Sequence, residues 1–237
     1  AKTFLHRLDL ARNWILGLPL FALGYMFTLW LRKGKDPSPG DPLVVAYVPP
    51  EESGRQLLPA EIGALIDEKL DPKDITASVV DLAVKGYLKI EERKTEGLIF
   101  DKTDYALRKG MEPGGDLPPF ERLLLERIFK GRGPEVKVSD LRLSFYKEID
   151  DLKTAAFKEL VGMKCFAAPP SKVQGRYVLI GVLVLVGGTL LAVLAGAILG
   201  GPFSLAPIAL ILSGIAVLLF APFMPVKTLK GVKVLGR

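Results

Sequence analysis

The residues that could perform nucleophilic or metal chemistry are few and widely separated. The sequence contains one histidine, His6, and one cysteine, Cys165. A catalytic Cys/His pair or a histidine-based metal site would need the two side by side, and the topology argued below places them on opposite sides of a membrane. A single cysteine also excludes an internal disulfide. We therefore predict no catalytic pair and no metal site.

Carboxylates and glycines offer no stronger candidate. Glu51–Glu52 and Asp150–Asp151 are adjacent in the sequence, and the second pair falls on the outer face of a predicted amphipathic helix, which is typical of solvated surface. Gly110, Gly114 and Gly115 are not followed by the Gly-Lys-Ser/Thr of a P-loop. We therefore predict a non-enzymatic protein without a cofactor.

Positive charge is concentrated beside the predicted membrane spans. The formal net charge is +6, yet residues 33–172 hold 23 Lys and Arg against 25 Asp and Glu. The other 9 basic residues and 1 acid flank the spans. Nucleic-acid affinity depends largely on a basic surface that contacts phosphates. The distribution therefore indicates membrane topology and argues against nucleic acid as a partner.

Long charge-free segments predict membrane-spanning helices. No charged residue lies between Arg176 and Lys227, and that length suits two helices of about twenty residues each. We place the second span at 177–199 and the third at 204–224. Gly200–Pro202 form the predicted turn between them.

The first predicted span covers residues 14–31. Trp14 and Trp30 lie at its two ends and, with Tyr177 at the start of the second span, are the predicted interface anchors. A secretory signal is the alternative, because basic residues precede the segment. We favour a span, since the apolar run is longer than a usual signal core and is followed by basic residues instead of a cleavage site.

Short flanking segments predict the orientation. The tail at 225–237 carries four basic residues and no acid, whereas the turn between the second and third spans is uncharged, and basic flanks favour the cytoplasmic side. Two crossings return the chain to one side, so residues 33–172 and the tail should be cytoplasmic and the N-terminus outside. We expect an integral protein of a bacterial or archaeal cytoplasmic membrane.

The pattern between the first and second spans predicts an α+β domain. Helical spacing predicts one helix over 59–66 and another over 74–85, closed by Gly86. Residues 87–92 and 98–102 then form a predicted β-hairpin. Two helices followed by a hairpin are the order of a winged-helix domain.

The second half of this domain adds further elements. Asp116 is the predicted cap of a third helix, and a short strand follows at Val136–Val138. Ser139 is predicted to cap one long helix whose apolar residues recur at three- or four-residue spacing to Leu160. A last strand is predicted at Cys165–Phe166. The pattern leaves open whether the two halves share one core.

The candidate interaction surface lies on the helix at 74–85 and the hairpin after it. This helix should present Asp74, Asp81 and other mixed side chains outward, which is no surface for phosphates. A solvated hairpin facing anionic headgroups is the alternative for the basic residues near the wing. The residues predicted to contact a protein partner are Thr76, Lys85, Lys89, Arg93 and Lys94.

Two rows of small residues predict close packing of the second and third spans. We favour packing of these rows on each other, because an antiparallel neighbour is always present, over docking of another subunit. Within the predicted spans there is no Asp, Glu, Lys or Arg, which argues against an ion or proton pathway. The rows are Gly188, Ala192, Gly196 and Gly200, and Ala206, Ala209, Ser213 and Ala216.

Several motifs carry a family resemblance. They are a Pro-Pro pair at Pro49–Pro50, a PAE-G turn at Pro59–Gly63, a D-x-x-D-I-T-A segment at Asp71–Ala77 and an L-A-x-x-G-Y-L strand entry at Leu82–Leu88. With them, the stretch from 45 to 92 resembles the DUF2207 family of predicted membrane proteins, as does the tail from 224. The resemblance implies a membrane architecture. It also implies a longer protein, since members carry an extracytoplasmic β-rich domain and a longer cytoplasmic end.

These observations predict a membrane-anchored interaction protein or an accessory subunit of a larger membrane complex, with the lipid bilayer and other membrane subunits as partners. A membrane-tethered DNA-binding regulator and a component of a transporter or enzyme are the alternatives. The predicted organisation is an N-terminal extracytoplasmic remnant at 1–13, spans at 14–31, 177–199 and 204–224, a linker at 32–50, a winged-helix-like cytoplasmic domain at 51–172 and a cytoplasmic tail at 225–237.

Overall fold

The chain folds into two compact units. A computed structural model describes residues 2–37, 49–95, 102–142, 144–199, 206–224 and 227–235. The helical unit comprises Ala1–Pro37 and Ala168–Val226, and the mixed unit comprises Ser38–Ala167 and Lys227–Arg237. The mixed unit therefore includes the C-terminal tail, which the sequence had predicted as a separate segment.

The mixed unit alternates short helices and strands. In chain order its elements are β1 (Glu51–Glu52), β2 (Arg55–Gln56), α2 (Pro59–Asp67), α3 (Pro72–Val84), β3 (Leu88–Thr95), β4 (Lys102–Lys109), α4 (Pro119–Phe129), β5 (Glu135–Lys137), α5 (Val138–Arg142), a 3₁₀ turn (Phe145–Glu148), α6 (Ile149–Gly162) and α10 (Leu229–Leu235).

Helices α2 and α3 begin in the same way. Each has proline at its first position, where no backbone N–H is needed. The Glu61 carboxylate accepts the N–H of Leu58 at 2.8 Å, and the Asp74 carboxylate accepts the N–H of Asp71 at 2.8 Å. Helix α3 ends at Val84, and Gly86, two residues later, has a φ of +84°, a left-handed conformation that favours glycine.

Strands β3, β4 and β5 form an antiparallel sheet in that order. Leu88, Leu107 and Val136 turn to its buried face and join the core. Strand β4 lies later in the chain than the segment 98–102 predicted from the sequence, because Ala106 and Leu107 supply the apolar residues that the core takes up. Most of the predicted segment, 98–101, lies outside the described residues.

The predicted long helix from Ser139 is wrong, because α5 ends at Arg142 and a 3₁₀ turn at Phe145–Glu148 precedes α6. The Ser139 hydroxyl does not cap a helix; it donates to the Asp104 carboxylate on β4 at 2.6 Å. Ser144, directly before the 3₁₀ turn, accepts a hydrogen bond from Arg132 at 2.8 Å. The predicted cap Asp116 is also wrong, because Pro118 occupies the cap position before Pro119.

Two apolar clusters lie inside the mixed unit. The larger gathers α3, α4, α6 and the sheet around Phe120, Leu124 and Leu152. The smaller packs α2 and the end of α6 against Cys165, Phe166 and Val234. Phe166 pairs with Lys227 through an isolated bridge in place of the predicted last strand. Helix α6 contributes to both clusters and joins them.

The helical unit contains α1 (Lys2–Lys33), α7 (Pro170–Val182), a π-helical segment (Leu183–Gly188), α8 (Thr189–Leu199) and α9 (Ala206–Phe220). Two stretches are long and apolar enough to cross a bilayer, Pro170–Ile198 with 29 residues and Ala206–Phe223 with 18. Helix α1 runs unbroken from Lys2, so the predicted remnant at 1–13 and the predicted first span at 14–31 lie on one helix.

Helix α9 packs against both α1 and the continuous helix formed by α7, the π segment and α8. Ala192, Ala209, Ser213 and Ala216 of the predicted small-residue rows are buried, whereas Gly196 and Ala206 are half-buried and Gly200 lies outside the described residues. A side chain added at Gly188 would meet Leu210 in ordinary contact at 3.4 Å.

Helix α9 and the continuous helix approach each other closely at a pair of glycines, which are not part of the two predicted rows of small residues. A Cβ built at Gly214 would lie 2.7 Å from the Leu185 Cβ and 3.0 Å from the Gly181 carbonyl oxygen. A Cβ at Gly181 would lie 2.7 Å from Leu218. The backbones therefore touch where neither helix has a side chain.

Replacing Gly214 with alanine should destabilise the helical unit by about 1 to 2 kcal/mol, because the added methyl group overlaps backbone that cannot rotate away. The matched control is Gly187→Ala, since nothing lies within 4 Å of a Cβ at Gly187. Thermal unfolding of the purified full chain in detergent measures both. Equal midpoints for the two variants would contradict the close crossing.

Candidate interaction surface

Helix α3 has a buried side and an exposed side. Ile75, Ser78 and Leu82 face the core, and the Ser78 hydroxyl accepts the N–H of Ala60 at 3.1 Å, which ties α3 to the start of α2. Asp74, predicted to point outward, is buried and caps the helix. The predicted exposure of Asp74 is therefore wrong.

Part of the exposed side of α3 is apolar. Val80 and Val84, one helical turn apart, are 48% and 82% exposed. Thr76 lies one turn earlier and donates its hydroxyl to the Pro72 carbonyl at 2.9 Å, so its polar atom is satisfied within the helix. The exposed Met111 lies beside the end of α3 and donates its N–H to the Gly86 carbonyl at 3.1 Å. We call Ala77, Val80, Val84 and Met111 the α3 surface.

The ammonium of Lys85, a predicted contact residue, forms ion pairs with two carboxylates. Its ammonium lies 2.8 Å from the Asp81 carboxylate and 2.8 Å from that of Glu121, which is fully buried. Burial raises the pKa of Glu121 to about 7, against the opposing effect of the Lys85 ammonium. Lys85 therefore stabilises a buried acid, and its role as a contact residue stays a prediction.

A second cation, Arg55, forms ion pairs with two acids of the mixed unit. Arg55 donates to both oxygens of the fully buried Glu61 and, at 2.7 Å, to Glu159. Glu159 also accepts the N–H of Phe120 at 2.7 Å. Burial, with repulsion from Glu61, raises the pKa of Glu159 to about 7. We call Arg55, Glu61 and Glu159 the arginine network; it links α2, α4 and α6.

The basic residues of the hairpin are also largely paired. Arg93 lies 3.0 Å from Glu135 and 3.3 Å from Glu91, and Arg108 contacts the same two acids at 3.0 Å. Lys94 lies 3.6 Å from Glu92. The sequence could not show this pairing of charges, because it depends on β5 joining β4 and bringing Glu135 across the sheet.

An open cleft of about 570 Å³ adjoins the end of α3. Lys89 contributes to its wall together with Met111 of the α3 surface. The five predicted contact residues therefore do not form one surface: Thr76 lies on α3, Lys85 at its end beside the buried Glu121, Lys89 at the cleft, and Arg93 and Lys94 along β3. Among the described residues, no group of three or more His, Cys, Asp and Glu side chains is arranged to hold a metal ion.

Two of the predicted interface anchors lie at one end of the helical unit. Trp30 and Tyr177 are half-buried and pack against a cluster formed by Met26, Val217 and Met224. The side chain of the third anchor, Trp14, lies outside the described residues.

Comparison with known proteins gives one match. Residues 50–237 match the family model described as "Predicted membrane protein (DUF2207) C-terminal domain". No curated protein and no solved structure matches the chain.

Proposed function

The chain belongs to the DUF2207 family of predicted membrane proteins, and from this premise we propose that it is a membrane-anchored, non-enzymatic interaction protein. Three spanning helices anchor it, and a winged-helix-like domain lies at the cytoplasmic face of the membrane. There the α3 surface binds an apolar, uncharged surface of another membrane subunit.

The packing of α1 supports its role as the third membrane-spanning helix. Met26 is buried against Val217 of α9, which is one of the two helices that are apolar enough to span. The second half of α1 is charge-free from Trp14 to Leu31, a length near the lower end of the spanning range. Because α1 packs on α9, we expect the charge-free half of α1 to lie at the same depth in the bilayer as α9.

Contacts of the C-terminal tail support the proposal that the domain and the tail lie on the same side of the membrane. Lys227 lies 3.3 Å from Glu68, and Lys230 contacts Glu52. The Thr228 N–H donates to the Cys165 carbonyl at 2.9 Å. Residues before and after the apolar pair of helices are thus joined in one unit, as two crossings of a bilayer require.

The single observation that carries the proposed partner is the apolar, exposed side of α3. An exposed apolar patch on a folded domain marks an interaction site when it is contiguous, and protein interface cores are depleted in charge. A DNA-reading helix needs free cations towards the phosphates, whereas Lys73 and Lys85 of this region contact Asp67 and Glu121.

Replacing Val80 and Val84 with aspartate should weaken partner binding by about 2 kcal/mol, roughly thirtyfold, because charge enters the apolar centre of the interface. The measurement is quantitative capture of the full chain with its stoichiometric partners from native membranes in mild detergent. Tyr146→Asp is the matched control, since Tyr146 is 63% exposed outside the α3 surface.

The same capture distinguishes the alternatives. Partners lost by the valine variant and kept by Tyr146→Asp support the proposal. Equal capture by all three proteins overturns the α3 surface as the binding site. A full chain that retards duplex DNA in a salt-dependent way, without a protein partner, supports the regulator hypothesis instead.

A further inference from the structure

One end of the helical unit carries concentrated positive charge. Five exposed basic side chains lie at or just after the end of α1 or in the first half of α7, whereas Asp36 is the acid nearest to them in the sequence and none occurs between Ala168 and Val226. We call these five residues the basic collar. They are Arg32, Lys33, Lys35, Lys172 and Arg176.

The fold brings the two halves of the collar to the same end. A Cβ built at Gly34 would lie 2.9 Å from the Phe223 carbonyl oxygen. The residue directly after α1 therefore contacts the turn that follows α9. Val173 and Tyr177 of α7 pack against the same apolar cluster as Trp30 of α1. Lys172 and Arg176 directly precede these two residues, and Lys33 follows Trp30 by one turn.

Four of the collar residues are available for a ligand. Arg32, Lys33, Lys172 and Arg176 are exposed and make no ion pair with a carboxylate in the part of the chain that the structure describes. This differs from the domain, where Arg55, Lys85 and Arg93 all contact acids. Lys35 lies 5.0 Å from the centre of the Trp30 ring, at the level of the predicted interface anchor.

Apolar helix faces continue directly from the collar. Leu179 of α7 and Leu183 of the π-helical segment after it are 59% and 60% exposed, and Phe27 of α1 is 47% exposed. A ligand that combines a negative head with hydrocarbon chains can therefore contact both parts at once. Free phosphate or a nucleotide offers nothing to the apolar faces.

We propose that the basic collar binds the headgroup of an anionic glycerophospholipid, with its acyl chains along the exposed apolar faces of α1 and α7. The phosphate diester accepts hydrogen bonds from Lys33, Lys172 and Arg176, and arginine supplies the planar donor pair that matches phosphate oxygens. This binding site is independent of the α3 surface and of the protein partner proposed above.

The test is lipid retention by the purified full chain, titrated with phosphatidylglycerol or phosphatidylcholine and measured by native mass spectrometry. Wild type should bind phosphatidylglycerol at least about tenfold more tightly than phosphatidylcholine, since several cations contribute near a bilayer surface. Replacing Arg32, Lys33, Lys172 and Arg176 with glutamine should bring the two affinities to within about threefold of each other.

Two control variants separate recognition from net charge and from misfolding. Glutamine at Lys137, Lys147, Lys153 and Lys158 removes the same charge from the domain and should keep the preference. Arginine at Lys33 and Lys172 keeps the collar charge and should keep it as well. A preference that survives in the glutamine collar variant, or is lost equally in the domain control, overturns the proposal. Competition by inorganic phosphate as effective as by phosphatidylglycerol overturns the assignment to a lipid.

Discussion

Replacing Arg55 with glutamine should lower the free energy of unfolding of the mixed unit by about 3 kcal/mol at alkaline pH, because the change leaves two buried carboxylates without their cation. Glu61 is fully buried and Glu159 nearly so, and both accept hydrogen bonds from Arg55. Arg55 keeps some exposure to solvent, which places the expected cost at the lower end of the range for buried ion pairs. Thermal unfolding of the full chain in detergent measures the loss.

The deficit of this variant should depend on pH in a defined direction. In the folded protein the pKa of Glu159 is raised from 4.5 to about 7. A raised carboxyl pKa means that the folded state holds the proton more tightly, so its stabilising contribution is complete below about pH 4.5 and is lost as the pH rises through about 7. The Arg55→Gln deficit should therefore be small in acid and grow above neutral pH.

An exposed arginine provides the control for this prediction. Arg93 is half exposed in the charged ladder of the sheet, and Arg93→Gln should change stability by no more than about 0.5 kcal/mol. Adding Glu159→Gln to the Arg55 variant should restore part of the stability, because the neutral amide mimics the protonated acid. Equal losses for the two arginine variants, or a deficit that does not change with pH, would contradict the arginine network.

Replacing Val234 with aspartate should detach the C-terminal helix α10 and expose Cys165. Val234 is buried in the smaller cluster beside Leu65 and Leu160, and burying an unpaired carboxylate there costs about 3 kcal/mol or more. Gly231 of the same helix lies directly on the Cys165 carbonyl. Since Cys165 is the only cysteine and is fully buried, its labelling by a maleimide reports detachment. Labelling should accelerate by about a hundredfold.

The other side of the same short helix supplies a matched control. Leu229 is 52% exposed, so Leu229→Asp adds the same charge to α10 without entering the cluster. Its labelling rate should stay near that of the wild type. If both variants label at the same rate, the tail is not held by the packing of Val234, and the contacts of Lys227 and Lys230 carry the attachment.

Local rules succeeded where short-range chemistry decides the structure. Pro59 begins α2 and the Asp74 carboxylate caps the start of α3, as the sequence spacing indicates, and the left-handed Gly86 follows the end of α3. The charge-free length after Arg176 corresponds to the two helices that are apolar enough to span a bilayer. The family resemblance is confirmed over residues 50–237.

Long-range pairing was beyond the sequence. Lys85 and Arg93 look like free cations until Glu121 and Glu135, which lie about forty residues later, are packed beside them. The apolar side of α3 was hidden because valine fits a core or a surface equally well in a helical pattern. The crossing at Gly181 and Gly214 does not repeat every four residues along both helices, so a search for rows of small residues passed over it.

The bridge between Phe166 and Lys227 has a consequence for biosynthesis. About sixty residues separate these two partners in the chain, and the intervening segment contains both long apolar helices. Domains commonly fold during translation from the N-terminus onward, but here the smaller cluster lacks Val234 until the segment after both apolar helices has been synthesised. Synthesis of both apolar helices therefore precedes completion of the domain, and a chain stalled before residue 227 exposes apolar surface of the smaller cluster.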